Sequence, residues 1–203
     1  MDEARVAPNE ETFRPARKSD ASDLAVLTDS AARGMVAWLW TTLRAPGQSI
    51  LEVGRHRILT NTDSPTHFAN WTVAEIDGEV AGGLTGFHVQ SGDKSRDASN
   101  FPEALRPYLE LEGLAATTWT ITVLSVFPEH RGRGLGAALM LEAENLARRS
   151  GARQMSLIVE SDNDTAIRLY QRSGLREHAR RPFVPFPGST DEGDWLLMAK
   201  DIA

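Results

Sequence analysis

Three glycines at alternate positions, Gly132, Gly134 and Gly136, stand between a run rich in β-branched and aromatic residues and an amphipathic stretch, in the string LSVFPEHRGRGLGAAL over 124–139. Few local structures suit such a string. A strand that gives way to glycines and then to a helix turns successive backbone N–H groups inward and lets a ligand approach the main chain closely. The helix N-terminus adds about half a positive charge, so the turn is a receptor for phosphate. Arg131 and Arg133 supply full charges beside it. A packing loop that needs glycine only for tightness has the same composition, so the turn alone leaves both readings open.

Two phosphate-binding patterns can be tested against it. A GxxxxGK[ST] loop requires a lysine, and none occurs between Lys94 and Lys200. The dinucleotide pattern GxGxxG/A fits Gly132, Gly134 and Ala137, with Glu160 ending the next strand where a ribose-binding acid belongs. That fold places its glycines at the strand end, whereas Pro128, Glu129, His130 and Arg131 intervene here.

The remaining chain reads as alternating short elements. A strand is expected over 12–16, then a helix capped by Ser19 with Leu24, Leu27 and Ala31 on one face. Met35, Trp38, Leu39 and Leu43 mark a second helix, and 50–59 a short third. Asp77-Gly78 between 71–76 and 79–89 signals a tight hairpin. Residues 91–100 read as an exposed loop, 101–114 as a helical insertion broken at Pro107, and 117–127 as a central strand. Helix 134–149, strand 155–160, helix 164–172, strand 176–184 and strand 195–200 complete the order.

Composition narrows the class. The 203 residues carry a formal charge of −6, with 41% hydrophobic and 25% charged residues, which fits one folded domain spanning 1–203. Residues 128–181 hold ten Lys or Arg against seven Asp or Glu, so the basic balance gathers around the glycine turn. No cysteine is present, which removes disulfides, thiolate nucleophiles and Cys-based zinc sites. The histidines lack metal-ligand spacing, and no metal is assigned. His130 is expected to face solvent beside the turn. No apolar stretch approaches the roughly 20 residues of a membrane helix. The acidic N-terminal segment does not resemble a secretory signal, so the cytoplasm is the expected location. Trp38, Trp40 and Trp119 read as core or pocket wall, with no nucleic-acid motif beside them.

A second string, NDTAIRLYQRSGL over 163–175, is the most telling. Asn163 and Tyr170 are seven residues apart, which places them within about 20° of one helix face. Asn163 also suits a plain helix N-cap, and Tyr170 a core aromatic with its hydroxyl at the edge. Together the two strings resemble the GNAT superfamily of acyl-CoA-dependent N-acyltransferases. Val126, Pro128, Arg131, Gly134 and Gly136 match the VxPxx and R/QxxGxG/A coenzyme motif. Asn163, Ala166, Leu169, Tyr170 and Gly174 match NxxAxxLYxxxGF, with Leu175 in place of the usual Phe. The likeness is specific over about 118–184.

The resemblance implies a single α/β domain, a mixed and mostly antiparallel sheet of about seven strands flanked by helices and splayed between the fourth and fifth. It implies acetyl-CoA as cosubstrate and transfer of its acyl group to a small-molecule or peptide amine by direct attack. Leu124, Ser125 and Val126 would run beside the pantetheine arm. Arg131, Gly132, Arg133, Gly134, Leu135, Gly136 and Ala137 would hold the pyrophosphate. Asn163 would contact the pantetheine or acyl end, and Tyr170 would protonate the departing thiolate. The Val126 N–H would stabilise the oxyanion. Some family members carry a Glu base on the central strand, but 117–127 holds no Asp, Glu or His. A water chain, Glu112 and His88 are the candidates instead. A non-catalytic coenzyme sensor of the same fold is the rival reading, and a homodimer is an open expectation.

Overall fold

The computed structural model describes residues 11–89, 101–190 and 192–202. Seven strands form one sheet: β1 (Glu11–Pro15), β2 (Trp71–Ile76), β3 (Glu79–His88), β4 (Trp119–Val126), β5 (Gln154–Glu160), β6 (Arg176–Pro182) and β7 (Asp194–Asp201), in the order β1-β2-β3-β4-β5-β7-β6. Every adjacent pair is antiparallel except β4 and β5. The hairpin turn falls where the Asp-Gly pair predicts, with φ of 53° at Asp77 and 87° at Gly78, the doubly left-handed turn that matches strand twist.

Helices cover both faces. On one, α5 (Leu135–Arg149) buries Leu135, Leu139, Met140, Ala143 and Ala147 against Ala74, Ile76, Leu84 and Ile121, with α6 (Asp164–Arg172) beside it. On the other, α1 (Ala21–Ala31), α2 (Met35–Thr41) and α3 (Ile50–Thr60) enclose Trp71, Val73 and Val123. A third cluster joins α4 (Arg106–Leu114) to Met35, Phe186, Trp195 and Leu197. Among the described residues no helix is long and apolar enough to cross a membrane.

Two local readings of the sequence are corrected by the structure. Ser19 does not cap α1; it lies in a 3₁₀ turn, Lys18–Asp20. Asp20 organises that turn, accepting from the Arg17 N–H at 2.7 Å and from Arg14 at 2.8 Å. Arg14 also pairs with Glu75 at 2.5 Å, tying the helix start to β1 and β2. Pro107 does not break its helix. It sits in the first turn of α4, where a missing N–H loses no bond. The expected loop over 91–100 lies outside the described residues.

The feature that positions the site is the short β4–β5 pairing. Only Trp119–Met155, Thr120–Ser156 and Ile121–Leu157 are in register, although β4 continues to Val126 and β5 to Glu160. The closed end is fastened by buried hydroxyls: Ser156 Oγ lies 2.7 Å from Thr118 Oγ1 and 2.9 Å from Thr120 Oγ1. Beyond it the strands part, as the sequence reading expects.

Candidate active site

The exposed edge of β4 follows from its pairing with β3. Phe127 N–H donates to Ala81 at 2.9 Å, and hydrogen-bonded pairs alternate along antiparallel strands, so Val126 and Leu124 form the non-bonded pairs with Gly82 and Leu84. Their N–H and C=O groups therefore point toward the opening. That is the edge an extended ligand can join as an extra strand. The Val126 carbonyl accepts from Arg131 Nε at 2.8 Å, which folds the following turn back onto the strand.

After the 3₁₀ turn Pro128–His130, Gly132 and Gly134 take φ of 75° and 90°. A side chain rarely adopts these angles, which explains the glycines better than crowding does, since nothing lies near either Cα side. The backbone N–H groups of 132–136 have no acceptor among the described residues, and the last two of them belong to the first turn of α5. This is a cup of donors at a helix N-terminus. Gly136 has a second reason: a Cβ there would stand 3.3 Å from Leu169, so its absence lets α6 lie close against α5.

These parts line one cavity of about 800 Å³, large for a small-molecule site. It gathers every residue the sequence assigned to the coenzyme except Arg133: Leu124, Ser125, Val126, Arg131, Gly132, residues 134–137, Asn163 and Tyr170. Arg133 stays exposed outside it, because the two left-handed glycines turn N–H groups inward and carry the intervening side chain out. His130 is not the solvent-facing residue expected; it is half-buried and lines the cavity. Arg33 also lines it and pairs with Asp162 at 2.5 Å, joining the α1–α2 connection to the β5–α6 connection.

Asn163 combines a cap with a place in the cavity wall. Its Oδ1 caps α6, accepting from the Ala166 N–H at 3.3 Å, and the residue lines the cavity. Tyr170 packs against the main core from α6. Burial, with the nearby Glu160 carboxylate, pushes its hydroxyl up from 10 to about 12, so it carries its proton through the neutral range.

A second cavity of about 310 Å³ lies on the α1–α2–α4 side of the opening. Its walls are mostly apolar, with Trp40, Tyr108 and Trp195 the largest, and Glu112, Glu160 and Arg57 its charged groups. Glu112 thus reaches a site from α4. His88 does not: it is exposed at the end of β3, lines neither cavity, and its ring nitrogen lies 3.3 Å from the Thr117 carbonyl. Sequence reasoning missed Glu160 in this role, although its place at the end of the strand beside the opening was a usable signal. Among the described residues no group of three His, Cys, Asp or Glu is placed to hold a metal.

A family model described as the acetyltransferase (GNAT) family matches residues 32–175. The chain belongs to that family. The GNAT match begins just after α1 and runs through α6, and so includes most of the residues lining both cavities, though not Trp195. Among curated relatives, a mycothiol acetyltransferase of Geodermatophilus obscurus is 46% identical over 59 residues, 29% of this chain and 19% of that protein. The streptothricin acetyltransferase of Streptomyces lavendulae is 39% identical over 95 residues, 43% of this chain and 50% of that protein. These alignments span half of the relatives' length or less. The GNAT fold is also seen in the crystal structure of spermidine N-acetyltransferase from Vibrio cholerae in complex with CoA and spermine, which is 15% identical with a TM-score of 0.59, covering 94% of this chain and 95% of that one.

Proposed function

We propose that the protein is an acetyl-CoA-dependent N-acetyltransferase that acetylates an amine in a ternary complex, working in the cytoplasm. The observation that carries this reading is that two different cavities border one strand opening, a donor-lined one on the glycine-turn side and an apolar, carboxylate-bearing one on the other. The first suits a diphosphate joined to an extended amide-containing arm. The second suits an amine.

In this mechanism the N–H groups of 132–136 bind the pyrophosphate, with Arg131 adding charge. Leu124 and Val126 bond the pantetheine amides through their outward-facing main chain, and the Asn163 amide closes on the same arm. The Val126 N–H lies on the open edge and stabilises the oxyanion that forms when the amine attacks the thioester carbonyl. Tyr170, kept protonated, gives its proton to the sulfur as the C–S bond breaks. Glu112 places a carboxylate in the acceptor cavity, where it attracts the cationic amine.

Release of free thiol from acetyl-CoA across a panel of amines tests the activity. Tyr170→Phe is expected to lower kcat by roughly 10²–10⁴ with little change in acetyl-CoA affinity. An unchanged kcat removes Tyr170 from the mechanism. Tight acetyl-CoA binding with no turnover on any amine replaces the enzyme reading with a coenzyme sensor.

A further inference from the structure

Among the described residues, Arg57 is the only Lys or Arg lining the second cavity. It stands in the last turn of α3, half-buried on the side of the helix that carries the buried Val53, Gly54 and Ile58. Arg14, Arg33, Arg180 and Arg181 each meet a carboxylate at 2.5–2.8 Å, whereas the Arg57 guanidinium meets none among the described residues. The cavity's own carboxylates, Glu112 and Glu160, have interactions of their own.

Two further polar atoms of the same wall point to the same need. Thr122 Oγ1 and Trp195 Nε1 are buried without a hydrogen-bond partner among the described residues, and both residues line this cavity. Thr122 lies where the β3–β4 register steps: Thr85 faces Val123 and Gly86 faces Ile121, so Thr122 faces no residue across the strands. A bulge of this kind re-aims a side chain, often beside a site. The guanidinium and the indole N–H can only donate, and the hydroxyl can donate as well. Buried donors are matched as a rule, and here three of them line one small chamber. An oxygen-bearing anion on the bound molecule would match them.

We propose that the amine substrate also carries a carboxylate, held by Arg57, on an otherwise apolar body, so that the acceptor is a small apolar amino acid or related amino carboxylate. This rests on the reading of the paired cavities as an N-acetyltransferase site. The planar guanidinium fits a carboxylate with two parallel N–H bonds. One cation balances one negative charge, whereas a phosphate dianion would leave charge uncompensated among apolar walls. Met35, Leu39, Trp40 and Trp195 suit the apolar body, and a volume of about 310 Å³ keeps it small. The amine then faces the β4–β5 opening, where the thioester would lie.

The test is thiol release from acetyl-CoA with two matched pairs that differ only in the carboxylate: L-phenylalanine against 2-phenylethylamine, and 6-aminohexanoate against pentylamine. Wild type is expected to favour the carboxylated member of at least one pair by about 10-fold or more in kcat/KM. Arg57→Gln should reduce that preference about 10- to 100-fold, the range of a charged hydrogen bond, through the KM of the carboxylated member rather than kcat. Acetyl-CoA-induced thermal stabilisation reports that the variant is folded. Arg57→Lys, which keeps the charge without the planar fork, should fall between the two. Arg55→Gln, on the same helix but exposed and lining neither cavity, should keep the wild-type preference.

No preference for the carboxylated member of either pair in wild type overturns the assignment, even where the plain amines are acetylated. A preference that survives in Arg57→Gln overturns it equally. If wild type releases no thiol with any amine, the same four compounds are titrated calorimetrically into CoA-saturated protein. Arg57-dependent binding of a carboxylated member then upholds the carboxylate site and overturns the enzyme reading, and absence of such binding overturns both.

Discussion

The two cavities at the β4–β5 opening are built from different materials. The proposed coenzyme side is mostly main chain: N–H groups of 132–136, the outward edge of Leu124 and Val126, and glycines whose φ angles no other residue readily adopts. The proposed acceptor side is mostly side chain, contributed by α1, α2, α3, α4, β4, β5 and β7. A main-chain site is written in one contiguous string and tolerates change outside it. A side-chain site is assembled from distant positions, any of which alters what it accepts.

The sharpest way to break this comparison is to substitute one glycine on each side. Gly134→Val forces a β-branched residue to φ of 90°, a strain of about 1–3 kcal/mol at the start of α5. Acetyl-CoA affinity should fall about 10- to 100-fold, read as loss of ligand-induced thermal stabilisation, while amine binding is retained. Gly54→Ala places a Cβ 2.3 Å from the ring of Trp40, a wall of the acceptor cavity. Overpacking of about 1–3 kcal/mol should raise the amine KM about tenfold and leave acetyl-CoA affinity alone. If either variant moved both ligands equally, the division between the two sides would be wrong.

The same contrast explains what could be read from the sequence. The glycine turn, the Asp77-Gly78 hairpin and the seven-residue spacing of Asn163 and Tyr170 are local signals, and each falls where it was expected. The side-chain base candidates, Glu112 just before the central strand and His88 near the end of the hairpin, are chosen by position along the chain, because chain proximity is all that periodicity offers. Glu160 comes to the acceptor cavity through the divergence of β5 from β4, a tertiary event. His88 looked suitable at a strand end, but β3 carries that end away from both cavities. Arg133 was assigned by its position in the string, and only the turn's φ angles show that it points out.

A smaller effect sharpens the comparison on the acceptor side. Asp20 starts α1, which contributes Thr28 and Ala31 to that cavity. Burial raises its carboxyl, but hydrogen bonds from Arg14 and the Arg17 N–H outweigh this and hold it below the usual range. Its contribution to stability is therefore complete above the ordinary carboxylate pKa and is lost as pH falls through the lower folded value. Asp20→Asn should cost about 1–3 kcal/mol in urea unfolding at neutral pH and reduce the acid-side slope. Unaltered stability would show that the Arg14 network is ornamental.

The least effect is expected from alkali. With Tyr170 raised to about 12, kcat at saturating substrates should not decline between about pH 8 and 10 through loss of the acid. A descending limb there would mean that another group donates the proton.

The three hydroxyls of Thr118, Thr120 and Ser156 act as a rivet for this machine. Thr118 gives its one proton to the Ala115 carbonyl, so within the trio it accepts, and Thr120 and Ser156 supply the donors. The wedge above it exists before either ligand arrives, and neither has to prise strands apart on entering. How far apart thioester and nucleophile stand is consequently decided when the chain folds, by side chains that touch neither.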